Sequence, residues 1–175
     1  MGYFSKLIKG YLLSYSGLTA IALFFSYIAT GRLQSTPIGI ESPTLFHGLI
    51  VAPSEEMFFR YFVPLLLMYL GLHYLAAGTI AAVGFGMAHW WAYEQNMYAL
   101  MAAVAAGFWN CIVVYRYSSK EPFNFTPGLL CAMLGHASYN LTVTYAPEML
   151  LPAALVGALA WGFMEKFFRE DEDYE

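Results

Sequence analysis

The chain has 175 residues, 59% of them hydrophobic and only 11% charged, with a mean hydropathy of +0.54 and a net charge of −4. Soluble domains carry about 25% charged residues, so these figures exclude an ordinary water-soluble globule and describe a polytopic membrane protein one domain long. There is no basic cluster to bind nucleic acid, and Cys111 and Cys131 both fall in apolar runs, as small buried hydrophobes rather than a disulfide framework.

Lys6 and Lys9 precede a first apolar stretch at residues 11–30. It is longer than the roughly 7–15 residues of a signal-peptide core, and no small-x-small cleavage site follows, so it reads as a membrane helix. Five more apolar segments follow at residues 44–71, 74–92, 97–115, 127–145 and 149–168. Each is near or above the roughly 18–20 residues that cross a bilayer. Pro53 and Pro64 predict a tilt or kink in the second segment. The connections are short and polar except residues 31–43, which fit an interfacial stretch. The expected fold is an all-α bundle of about six transmembrane helices. It forms a single integral membrane domain over residues 1–169, followed by an acidic, disordered tail at 170–175.

Six spans put Lys6, Lys9, Arg116, Lys120, Lys166 and Arg169 on one side and Arg32 on the other. That asymmetry predicts both termini in the cytoplasm. Trp90, Trp91, Tyr93, Tyr115 and Tyr117 stand at span ends and read as an interfacial aromatic belt. His47 and His73 read as interfacial imidazoles. Asn140-Leu141-Thr142 has the glycosylation pattern but lies inside a span, where it is not an acceptor.

Within the spans the strongly polar inventory is Glu55, Glu56, Arg60, His89, His136 and Asn140, from the second, third and fifth segments. Each charge at that depth costs roughly 2.5–3.5 kcal/mol, and such residues face a bundle interior or a water-filled cavity. Glu56 and Arg60 are four apart and can pair on one helical face. Glu55 is rotated about 100° away and is left for another task. The third segment is rich in Ala and Gly, which allow close helix approach, and Ala81, Phe85 and His89 share one of its faces. His136 and Asn140 share a face of the fifth. The bland alternative is a hydrogen-bonded cluster that only fixes helix packing.

Glu55-Glu56-x-x-x-Arg60, then Phe85-x-x-x-His89, then His136-x-x-x-Asn140 resembles the motif set of the CAAX protease and bacteriocin-processing (CPBP, or Abi) family of intramembrane endopeptidases. That family includes the Rce1-type enzymes, which remove a C-terminal tripeptide from prenylated proteins. The resemblance runs from about Val51 to Asn140. It implies that Glu55 and His89 activate the hydrolytic water, that His136 and Asn140 bind the oxyanion, and that Glu56, Arg60 and Phe85 support the site. It implies no metal cofactor. The substrate would be a peptide or protein reaching the site from the membrane, with or without a lipid. The surroundings would be membrane lipid, in a prokaryotic cell membrane.

The residue types suit that chemistry. Amide hydrolysis needs a base for water, an acid for the leaving amine and donors for the oxyanion. The chain has no Gly-x-Ser-x-Gly elbow and no His-Glu-x-x-His. Three alternatives stay open. One is a metallohydrolase with zinc held by Glu55, His89 and His136. Another is a non-catalytic immunity or peptide-sequestering protein. The third is a transporter using Glu55 as a proton relay, for which two related halves are expected and no repeat is seen.

Overall fold

The computed structural model describes residues 3–33, 45–120, 123–124 and 126–167. The expected interfacial stretch lies mostly outside these residues, and the acidic tail lies wholly outside them. The described chain is a helix bundle: α1 (Tyr3–Thr30), α2 (Ala52–Glu56), α3 (Val63–Tyr69), α4 (Tyr74–Ala88), α5 (Met97–Tyr117), α6 (Thr126–Tyr145) and α7 (Leu150–Phe167). A two-residue antiparallel pairing of Ser119–Lys120 with Phe123–Asn124 links α5 to α6. Among the described residues three helices are long and apolar enough to cross a membrane, at Tyr3–Thr30, Met97–Tyr117 and Pro147–Lys166.

Several α1 hydroxyls bond back to carbonyls of their own helix, a way to satisfy them away from water. Ser16 donates to the Leu12 carbonyl at 2.6 Å, and Thr19 donates to that of Tyr15 at 2.8 Å. α1 packs against α5, α6 and α7, and α4 packs against α5. Glycine permits the closest of these approaches. A Cβ on Gly107 of α5 would lie 3.2 Å from both Cα and Cβ of Ala82 on α4. Both cysteines are buried and unbridged, as expected.

The second apolar segment is a single helical path with an α-turn between two π-helical turns, His47–Val51 and Met57–Phe62. Such turns are frequent at functional sites, and here they flank the two glutamates. Pro64 cannot donate to the carbonyl of Arg60 four residues earlier, and the Tyr74 hydroxyl donates to that carbonyl at 3.4 Å.

Two expectations need correction. Lys9 is not a solvated flank. α1 begins at Tyr3, so Lys9 lies inside the helix, its side chain only 1% exposed and its Nζ 3.5 Å from Glu165 of α7. Arg116 of α5 also pairs with Glu165. The acid from the last helix compensates the buried ammonium, and its location there is a tertiary fact. α4 stops at Ala88, short of residue 92. A turn with Glu94 and Gln95 at φ 50° and 60° reverses the chain, and the Asn96 side chain then caps α5 by accepting from Tyr98 and Ala99.

Candidate active site

Glu56 and Arg60 form the buried floor. Arg60 Nε lies 3.2 Å from Glu56 Oε2, and each side chain is 1% exposed. The guanidinium carbon sits 4.8 Å from the centre of the Phe85 ring. A neighbouring carboxylate and an aromatic face thus offset the cost of burying this cation. Phe85 also meets the imidazoles of His89 and His136, at 4.5 and 6.2 Å between ring centres. One apolar ring therefore touches the buried cation and both histidines.

Glu55 is one residue earlier and faces the other way, at 22% exposure. His89 Nε2 lies 3.2 Å from its Oε1, and His136 Nε2 lies 4.0 Å from its Oε2. Each imidazole is anchored at its other nitrogen. His89 Nδ1 is 2.8 Å from the Phe85 carbonyl, and His136 Nδ1 is 2.8 Å from Glu56 Oε1. A carbonyl and an ion-paired carboxylate only accept, so both Nδ1 atoms carry hydrogen. Both Nε2 atoms then converge on one carboxylate.

A cavity of about 90 Å³ opens beside this group. Its polar end is lined by Glu56, Arg60, His136 and Asn140, and its apolar wall by Leu18, Ala22 and Phe25 of α1 with Ala99, Ala102 and Ala106 of α5. The three sequence motifs are thus brought together, with Asn140 at the cavity and Phe85 beneath the histidines. Among the described residues no group of three or more His, Cys, Asp or Glu side chains is arranged to hold a metal ion.

Residues 37–142 match the sequence model of the family described as type II CAAX prenyl endopeptidase, Rce1-like, over more than half of the chain. The chain belongs to the Rce1-like family. That places it among CAAX-type proteases, integral to the membrane, with peptide or protein substrates. No curated protein and no solved structure matches it. For an Rce1-like chain the division of the site is informative. Every motif residue lies within the matched segment, whereas the α1 wall of the cavity lies outside it.

Asn110, Tyr93 and Tyr139 are among the cavity residues that sequence reasoning missed. Asn110 is buried on α5 and accepts from the Ser14 hydroxyl at 2.8 Å. It carried the same signal as Asn140, an amide in mid-span. Tyr93, expected in the aromatic belt, also lines the cavity. It is partly buried, and its ring stacks on His89 with centres 5.4 Å apart. Nothing in its spacing distinguished it from the exposed Trp91 nearby.

Proposed function

We propose that this chain is an intramembrane endopeptidase that hydrolyses a peptide bond with water activated by Glu55 and His89. The observation that carries the reading is the convergence of His89 Nε2 and His136 Nε2 on the Glu55 carboxylate, at 3.2 and 4.0 Å. Glu55 takes a proton from water as the water oxygen attacks the scissile carbonyl carbon. The carbonyl electrons move onto oxygen, and Asn140 and His136 donate to that oxyanion. His136 donates from Nε2 while keeping its Nδ1 hydrogen, so both its nitrogens carry hydrogen in this step, with the Glu55 and Glu56 carboxylates both beside the ring. Collapse re-forms the carbonyl and breaks the C–N bond. The leaving amine takes up the proton held between Glu55 and His89.

A zinc ion on Glu55, His89 and His136 is the competing reading. Anchored Nδ1 atoms are common in ligand histidines, which favours it. Asn140 beside His136 at the cavity, a good donor and an uncommon zinc ligand, favours the oxyanion reading instead.

The test is hydrolysis of a farnesylated CAAX peptide by purified Glu55→Gln, which keeps the side chain's shape and loses its basicity. Turnover should fall by at least about 10²-fold with the unfolding temperature unchanged. Near-normal hydrolysis would sink the assignment. Comparative membrane proteomics of wild-type and Glu55→Ala cells then finds the natural substrate. If no processed protein differs between them and the purified wild type cleaves no peptide, the non-catalytic peptide-sequestering reading takes the place of this one.

A further inference from the structure

We infer that Tyr93 is a positioning residue that sets the orientation of the His89 imidazole, and that the strained turn after it keeps it there. The inference rests on the catalytic reading of His89. His89 stands one residue beyond the end of α4, so no helical turn fixes its side chain. The Phe85 carbonyl holds Nδ1 at 2.8 Å and Glu55 meets Nε2 at 3.2 Å, but contacts at two edge atoms leave the ring free to tilt about the line between them. Two aromatic contacts remove that freedom. The Phe85 ring lies 4.5 Å away at 52°, and the Tyr93 ring stacks at 5.4 Å and 24°. Stacked and edge-to-face arrangements are the preferred geometries of ring pairs, so the Tyr93 face defines a plane for the imidazole to follow. Tilt would turn the in-plane bonding direction of Nε2 away from the Glu55 oxygen that it meets at 3.2 Å.

The backbone is arranged to keep Tyr93 in this position. Its N–H donates to the His89 carbonyl at 2.9 Å, and its own carbonyl accepts from Asn96 at 2.8 Å. The next two residues, Glu94 and Gln95, are left-handed at φ 50° and 60° without being glycine. Consecutive non-glycine residues in that region are strained and persist only where their surroundings over-determine them. A glycine there would relieve the strain but loosen the chain. The same tyrosine lines the cavity with His136 and Asn140.

The ring's position can be read without substrate. Protein labelled with ¹⁵N-histidine in detergent micelles gives His89 resonances, assigned through His89→Gln. Tyr93→Ala should shift or broaden them, Tyr93→Phe should restore the wild-type signals, and His136 should stay unmoved throughout. Should Tyr93→Ala fail to fold, Tyr93→Leu fills the space without an aromatic face and is read the same way. Gln95→Gly should keep its unfolding temperature yet broaden His89. On the farnesylated peptide, Tyr93→Ala should lose about 10²-fold in kcat, as for a slight misplacement of a reacting group, with KM little changed and rescue by Phe. Wild-type His89 signals in Tyr93→Ala or Tyr93→Leu would overturn the positioning role, and an unaltered Gln95→Gly spectrum would overturn the part given to the turn. If His89 responds to Tyr93→Ala while Glu55→Gln cleaves normally, positioning stands and the catalytic reading falls.

Discussion

His136 Nδ1 and Glu56 Oε1 lie 2.8 Å apart, joining helices whose contributing residues are 80 positions apart in the chain. Glu56 therefore has two partners, Arg60 on its own helix and His136 across the bundle. One buried carboxylate balances the site's guanidinium and also turns the His136 ring so that Nε2 faces Glu55. Glu56 and Glu55 are adjacent in sequence and differ in surroundings. The first is sealed against Arg60 and His136, and the second is partly exposed and meets the Nε2 atoms of His89 and His136.

Arg60→Ala should remove folded protein along with activity. It leaves Glu56 buried with one cation fewer, and breaking a buried pair in this way typically costs about 3–5 kcal/mol. It also strips the cation from the face of Phe85. Thermal unfolding in detergent is the measurement. A variant as thermostable as wild type but inactive would give Arg60 a role in binding substrate instead.

Gly135→Ala should destabilise the junction of α1 and α6. The added Cβ would collide with Ser14 Oγ and lie 3.0 Å from the backbone nitrogen of Tyr15. Backbone cannot swing aside, so α6 must move and carry His136 with it. Overpacking of this kind costs about 1–3 kcal/mol. Gly162→Ala in α7 is the control, since nothing lies within 4 Å of its added Cβ, and it should be neutral or slightly stabilising. Equal unfolding temperatures for the two variants would refute the close-packing argument.

The motifs were legible because each is local. An i, i+4 pair on a helix is written in the sequence, and so is an apolar run long enough to span. The order of the motifs and their shared burial followed from the cost of charge in hydrocarbon. What was not legible is tertiary or irregular. A lysine at the start of a span reads as a flank until Glu165 is found beside it on the last helix. Tyr93 reads as an interfacial aromatic because it stands just past the expected end of its span at residue 92, and the left-handed pair that follows it leaves no periodic trace. Asn110 was legible and overlooked. It lacks an i+4 partner, and its contact is with Ser14 across the bundle.

Both termini are expected on the cytoplasmic side. Removing the buried Lys9 from the tally leaves Lys6, Arg116, Lys120, Lys166 and Arg169 facing Arg32 alone, still a strong bias. Contact of Lys9 with Glu165 sets the start of α1 beside the end of α7. Cysteines introduced at Phe4 and Leu33, which are 72% and 58% exposed, should react with an impermeant thiol reagent from opposite sides. The native Cys111 and Cys131 are fully buried and give little background. Labelling of both positions from one side would rule out the arrangement.

Asn140→Ala should slow turnover without much change in substrate binding. Asn140 lies one helical turn beyond His136 and lines the same cavity, so both can donate to one oxygen from one helix. The loss of a single oxyanion donor costs about 10²–10³-fold in rate. An amide is a good donor and an uncommon zinc ligand, so this effect belongs to the oxyanion reading. Under the zinc alternative the sensitive residue is His136, whose replacement by alanine would abolish bound metal. Elemental analysis of purified active protein, paired with hydrolysis after exhaustive chelation, separates the two. The expected outcome is full activity after chelation together with a slowed Asn140→Ala enzyme. Stoichiometric zinc whose removal stops hydrolysis and whose return restores it would reassign His136 as a ligand. Its anchored Nδ1, held by Glu56, would then be the support of a metal-binding nitrogen rather than of an oxyanion donor.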